Sequence, residues 1–320
     1  MTAHAISSTS VTEPATFRTV TIALSIVFSM LLIADQLGGL VLDRMFESSS
    51  YNPVAGVLVT NSTSVIVGAS GSRYSMDPNI LGQNTYNAAS DGQSGFYAAA
   101  LLRAIPARKV RRVIYGFDPS DVLSGLANPN VRQMARYTPW SVRDPQMSDW
   151  ISGNSTISRF KLFSGFYRYH SIGHKVVDQW LHPRWSNRGF EPLLETMLPT
   201  KENRAGHYEG QPVPPAESGL LMLEAVRDSV LKHDAELIVV ITPAYGYDRA
   251  KVRKDEGAVA AMRHLFSGLK VCDLTGPSSS PMAAIYMDNN NFRDGAHMNQ
   301  RGAKLYSSYL RDLIETKCNM

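Results

Sequence analysis

Four short runs of β-branched and apolar residues limit what this chain can fold into. They are "SVIVGAS" (64–70), "RRVIYGFD" (111–118), "ELIVVITP" (236–243) and "LKVCDL" (269–274). Each is strand-length, and small or polar residues close them; Pro243 ends the third. A weaker strand candidate, "TYNAA", spans 85–89. Between and after them lie helical patterns at 91–105, 216–234, 256–268 and 299–316. The first carries Phe96, Ala99, Ala100, Leu101 and Leu102, and the last Ala303, Tyr306, Leu310, Leu313 and Ile314. Strands alternating with helices predict an α/β fold: a five-stranded parallel sheet in three α/β/α layers. In such sheets a site forms at the carboxyl ends of the strands, here just after 69, 89, 116, 243 and 274.

The interval 119–215 breaks the alternation. It has no convincing strand and is rich in aromatics, among them Tyr137, Trp140, Phe160, Phe163, Phe166 and Tyr169. It reads as a mainly helical insertion over one edge of the sheet, with 156–181 helical. Its aromatics form either the insertion's own small core or a lid that contacts sugar or lipid.

Residues 19–34, "TVTIALSIVFSMLLIA", carry no charge, and "LGGLVL" continues the run after Asp35 and Gln36. The stretch matches the ~20 apolar residues of a membrane helix, with the two polar residues near its outer end. A cleaved signal peptide is the rival, but no clean small-x-small site follows the run. A buried soluble helix is the other rival, but the run is apolar all round. The expected organisation is a short cytoplasmic tail (1–18), an anchor (19–45) and a globular domain (46–320). Arg18 before the run, against Asp35, Asp43 and Glu47 after it, favours the bulk of the chain outside.

At 19% charged and 44% hydrophobic, the remainder reads as globular rather than disordered. The net charge of +4 is spread out, and its densest cluster, "RKVRR" (108–112), runs into a strand; no nucleic-acid motif is present. Two cysteines, Cys272 and Cys318, cannot make a disulfide scaffold. They either pair in an oxidising compartment or are two unrelated thiols.

Chemistry-bearing residues stand at the strand ends. Ser70, between Gly68 and Gly71, can sit on a sharp turn with its hydroxyl exposed, although position 72 is Ser and not the glycine of a G-x-S-x-G elbow. In "YNAASDGQSG" (86–95), Gly92 precedes a helix and could aim its N–H into the same crevice. In "DGAHMNQRGA" (294–303), Asp294 and His297 stand three apart before the last helix. His297 could take a serine proton while Asp294 orients the ring. A cap and a surface histidine are the bland reading of D-x-x-H. No third His, Cys or carboxylate stands at ligand spacing, so no metal and no other cofactor is expected.

These blocks, in this order, resemble the SGNH (GDSL-like) hydrolase superfamily from about 64 to 310. The resemblance implies a flavodoxin-like sheet. It places the nucleophile on Ser70 of "GAS", the oxyanion glycine on Gly92 of "NAASDGQSG" and the remaining catalytic pair on Asp294 and His297. "GASGSRYSMDP" also resembles the Gly-Ser-Ser-Arg…Asp-Pro opening of membrane-anchored SGNH-like proteins, the alginate O-acetylation and teichoic acid D-alanyl transfer types. Their likeness implies acyl transfer on cell-envelope polysaccharides, an extracytoplasmic domain on the inner membrane and a multi-spanning acyltransferase partner. Arg73 and Asn87 become candidate substrate contacts. Two departures stand out. Gly71 occupies the usual arginine position. Asp118 of "GFDPSD" falls where an oxyanion asparagine belongs, and a carboxylate cannot donate unless protonated. Asp118 either has a different job there or caps a helix with Pro119 at its first position.

The readings that follow are a membrane-anchored serine O-acyltransferase or esterase acting on a polysaccharide, a catalytically degenerate glycan-binding or scaffolding subunit, and a lipid or small-ester esterase.

Overall fold

In the computed structural model, which describes residues 15–125, 138–154, 159–197, 213–245, 249–275 and 280–318, the five expected strands form one sheet. They are β1 (Ser64–Gly68), β2 (Thr85–Asn87), β3 (Arg112–Phe117), β4 (Glu236–Ile241) and β5 (Val271–Asp273). All pair in parallel in the order β2-β1-β3-β4-β5. This is the doubly wound order whose switch point lies between β1 and β3. The register sets Gly68 beside Gly116 and Phe117 beside Ile241. The carboxyl ends of β1, β3 and β4 are therefore level, and the loops after them open onto one crevice.

The helices are α1 (Ala15–Ser48), α2 (Pro53–Val59), α3 (Ser70–Ser75), α4 (Pro78–Leu81), α5 (Gly95–Ala104) and α6 (Pro119–Ser124). They continue with α7 (Pro145–Asn154), α8 (Arg159–Phe163), α9 (Gly165–Tyr169), α10 (Gly173–Leu181) and α11 (Glu217–His233). The last three are α12 (Arg249–Phe266), α13 (Ser280–Met287) and α14 (Gln300–Leu313).

Alternation along each strand builds the three layers, because successive side chains point to opposite faces. Val65, Val67, Val113, Tyr115, Leu237 and Val239 face α5, α11 and α12. Ile66, Ile114, Ile238 and Val240 face the other way, onto Tyr306 and Leu310 of α14. At roughly 1.5–3 kcal/mol per fully buried aliphatic side chain, these two layers dominate the stabilisation.

Several boundaries differ from the sequence reading. α5 begins at Gly95 rather than 91, because Gly92 (φ +61°) turns the chain first. The 156–181 stretch is three short helices rather than one. Ser164 interrupts it, and its Oγ caps α9 by accepting from the Tyr167 N–H (3.1 Å). Strand-paired Cys272 and helical Cys318 are disulfide-bonded, tying β5 to the chain after α14.

The N-terminal helix is single and continuous, and it is long and apolar enough to cross a membrane. From Phe17 to Ile33 its apolar side chains are exposed. From Asp35 to Met45, expected within the anchor, one face instead packs on the domain. Asp43 accepts from Tyr169 Oη (2.6 Å) and Arg168 Nη2 (3.0 Å), and Phe46 is buried edge-on against Trp140 and Tyr169. Just after α1, Asn52 caps α2 by accepting from the Val54 N–H (3.0 Å). Residues 1–14 of the expected tail lie outside the described residues, as does Tyr137.

The insertion does more than cover a sheet edge. Its helices bury Trp140, Met147, Ile151, Tyr169 and Val176 in the same core as α5 and Phe46. Its later part reaches edge strand β2, where Asn87 N–H donates to Arg188 O (2.8 Å). From there the chain runs on to the far side of the crevice. Met197 N–H donates to Phe292 O (2.7 Å), and Leu193 O accepts from Gln300 N–H (2.7 Å). Phe160, Phe163 and Phe166, expected in a core or a lid, are solvent-exposed.

Candidate active site

Ser70 is the first residue of α3, two positions after β1 ends. The turn depends on Gly68, whose φ of +143° disfavours any L side chain. A Cβ there would also lie 2.5 Å from Ser72 Oγ and 2.7 Å from Gly116 O. Gly71 passes close to Thr242 after β4; a Cβ would meet its Cγ2 at 2.9 Å. This contact leaves little room for any side chain at position 71. At the first turn of α3, no preceding helical carbonyl is available to the Ser70 N–H.

His297 arrives from the opposite side of the crevice. Its loop is pinned by a short antiparallel pairing of Phe292 with Met298 and by Arg293 N–H donating to His297 O (2.9 Å). Asn299 then caps α14 through the Gly302 N–H (3.0 Å). This places His297 Nε2 2.8 Å from Ser70 Oγ. The other ring nitrogen, Nδ1, lies 2.8 Å from Asp294 Oδ1 and 3.0 Å from Oδ2. The three residues picked from the sequence therefore form one hydrogen-bonded chain, serine to imidazole to carboxylate.

Asp294 is held as the anion. Burial, the largest single influence, pushes its carboxyl up. Hydrogen bonds from the Ala296 N–H, from His297 and from Arg293 together outweigh that, and the net pKa lies below the ordinary carboxylate value.

The other expected positions divide. Gly92 lies in the loop after β2, which is tied to the nucleophile's turn by Ser90 N–H donating to Gly68 O (3.2 Å). Asp118 caps α6: its Oδ1 accepts from the Ser120 N–H (2.9 Å), with Pro119 following it. The cap is the alternative role expected for Asp118; its second oxygen could serve an oxyanion only with a proton on it, since a carboxylate is acceptor-only. Asn87 is buried and its amide is committed to the backbone. Nδ2 donates to Ser72 O (3.1 Å) and Met76 O (2.8 Å), and Oδ1 accepts from Ala89 N–H (3.1 Å). Asn87 therefore fastens α3 to β2 rather than contacting substrate. Arg73 pairs with Asp91 (3.4 Å) and donates to Glu191. It also lines a polar cavity of about 70 Å³, together with Ser50, Tyr51, Ser90 and Gln93.

Tyr74, Asp91, Glu191 and Arg293 were not singled out from the sequence. Tyr74 stands edge-on to His297 and donates from its hydroxyl to Asp91 Oδ2 (2.7 Å). Burial, and then that hydrogen bond, push the phenol well above its ordinary pKa, so it stays a donor. Tyr74 lies one turn after Ser70, and a helical-spacing check from the nucleophile would have found it.

The fold and site define an α/β protein with a Ser–His–Asp constellation at the switch point of a parallel sheet. No protein-family model and no curated protein matches the chain. A solved structure described as "a putative platelet activating factor from Streptococcus pneumonia" aligns over 92% of this chain and 99% of its own. It does so at 13% identity and a TM-score of 0.42, a likeness too slight to bear on function.

Proposed function

We propose that this chain is a membrane-anchored serine enzyme that transfers or hydrolyses O-acyl groups, O-acetyl above all, on a cell-envelope or exported polysaccharide. The observation that carries the reading is the hydrogen-bonded chain from Ser70 Oγ through His297 to Asp294. Ser70 Oγ attacks the acyl carbonyl carbon as His297 Nε2 takes its proton. The Ser70 N–H and the Gly92 N–H receive the oxyanion. Collapse breaks the bond to the leaving alcohol, which recovers the proton from His297, and leaves an acyl-serine. A sugar hydroxyl or water then attacks, again deprotonated by His297, and Ser70 is regenerated.

For the location we read α1 as an uncleaved single span of the inner membrane, with the domain on the periplasmic side. The Cys272–Cys318 bond supports an oxidising compartment. A multi-spanning acyltransferase is the expected source of the acyl group. No step requires a metal or another cofactor.

Purified protein incubated with p-nitrophenyl acetate and a serine-directed covalent probe tests this. Turnover and labelling that both disappear in Ser70→Ala support it. Neither signal in the wild type, with oligosaccharide binding retained, would favour the degenerate glycan-binding subunit instead. The observation on that side is Asp118, whose carboxylate caps a helix where the resembling families carry an oxyanion donor.

A further inference from the structure

Three phenylalanines of the insertion lie outside every core. Phe160 is 84% exposed, Phe163 64% and Phe166 55%. They flank a fixed joint between the insertion and α1. Asp35 accepts from Ser164 Oγ (2.8 Å), Gly165 N–H (2.8 Å) and Phe166 N–H (3.0 Å), and Gln36 Nε2 donates to Phe163 O (2.9 Å). Below this joint the backbones nearly touch, since a Cβ on Gly39 would lie 2.4 Å from the Cα of Gly165. The joint leaves little room for α1 to swing against the domain.

Its height along α1 is informative. From Ala15, the first described residue of α1, to Asp35 the helix rises about 30 Å, the thickness of a bilayer's hydrocarbon core, with Arg18 near the inner end, where a long basic side chain snorkels to the interface. Past Asp35 the outer face of α1 still exposes Leu37, Leu40 and Val41 before the exposed Arg44. Those residues add about 10 Å, enough to cross the ~5–8 Å headgroup region on that side. Phe163 and Phe166, which meet α1 at this joint, therefore sit at the headgroup level beside a helix face that remains apolar there, and Phe160 precedes Phe163 by one turn on α8. The carboxylate of Asp35, at the core boundary, is covered by the hydrogen bonds that make the joint.

We propose that Phe160, Phe163 and Phe166 sink into the headgroup region of the same bilayer that α1 crosses, so the domain rests on the membrane at a fixed tilt. The occupant of this patch is lipid, because the patch continues the exposed apolar surface of the span. This rests on the reading of α1 as an uncleaved span. Its consequence is a crevice held at constant height above the bilayer, suited to substrate delivered at the membrane.

Spin labels measure the depth directly. Both native cysteines are in the disulfide, so single substitutions Phe160→Cys and Phe163→Cys give one label each in the full chain reconstituted into liposomes. Phe166 is left alone because its ring packs on Gly38. Val27→Cys in mid-span and Leu221→Cys on α11 are the references. Oxygen should relax labels at 160 and 163 more than a water-soluble nickel chelate does, placing them about 5–10 Å below the phosphates. Labels at 160 and 163 that behave like 221 while 27 stays deep would overturn the docking and leave the span intact. Protection from both reagents would mean a protein cover and would also overturn it. A label at 27 that behaves as aqueous would remove the span reading and the docking together.

Discussion

Tyr74 stands edge-on to the His297 imidazole, ring centroids 5.4 Å apart and planes at 89°, while its hydroxyl is anchored to Asp91. His297 is thus held from two sides, by Asp294 at Nδ1 and by an aromatic edge contact. Edge-to-face aromatic pairs contribute about 0.5–1.5 kcal/mol beyond burial. Tyr74→Phe keeps the ring and should leave turnover of p-nitrophenyl acetate within a few-fold of wild type. Tyr74→Ala should lower kcat by roughly two- to tenfold with KM little changed. A change confined to KM would show that the ring contacts substrate rather than positioning the base.

Asp294 is expected to matter for tautomer and for acid stability, in separable ways. Asp294→Asn removes the acceptor that keeps the Nδ1 proton in place, and such a loss costs a triad about four orders of magnitude in kcat. Its folded pKa is depressed below the ordinary value near 3.9. The stabilisation is therefore present above that ordinary value and is lost as pH falls through the folded one. Melting curves of wild type and Asp294→Asn should differ in Tm at neutral pH and converge in strong acid. A gap that widens on acidification would contradict this account.

Much of the site was legible in the sequence because chemistry at strand ends is punctuated locally. Ser70 follows a β-branched run and a glycine, and Asp294 and His297 share one loop, so each could be read from a few neighbours. Asp118 was legible as a cap for the same reason, since Asp-Pro is a local helix-start signal. The pairing of Glu191 with Arg73 was not, because it spans 118 positions and, although Arg73 lies in a motif, nothing around Glu191 marks it as a partner. Nor was the docking of α1. Asp35 and Gln36 interrupt an apolar run, but only the fold reveals that Ser164, Gly165 and Phe163 meet them. The disulfide was an open pairing because two cysteines 46 apart give no geometry until β5 and the C-terminus are placed.

Gly116 and Ser72 test the tightness of the turn beneath the nucleophile. A Cβ on Gly116 would lie 1.7 Å from Ser72 Oγ, in a core with no slack. Gly116→Ala should destabilise by about 1–3 kcal/mol, read as a lower midpoint in denaturant. Ser72 Oγ is itself buried without a hydrogen-bond partner. Ser72→Ala removes an unsatisfied polar atom at nearly constant shape, so its stability should match or exceed wild type. A large loss in Ser72→Ala would mean that the hydroxyl has a partner, such as a buried water.

The Cys272–Cys318 bond closes a loop of 46 residues in sequence separation. Constraining the unfolded chain over that length is worth about 4 kcal/mol on the chain-entropy model, and removal of native disulfides typically costs 2–5. It also fixes β5, which is only three residues long and pairs on one side with β4. The double substitution to serine should therefore lower the folding free energy by about 2–4 kcal/mol and loosen β5 first, seen as faster amide exchange at 271–273 than in the central strands. Reductant should bring the wild type to the same stability and leave the double variant unchanged. Equal stability with and without reductant in the wild type would show that the bond does not form in the native protein, and the case for an oxidising compartment would fall with it.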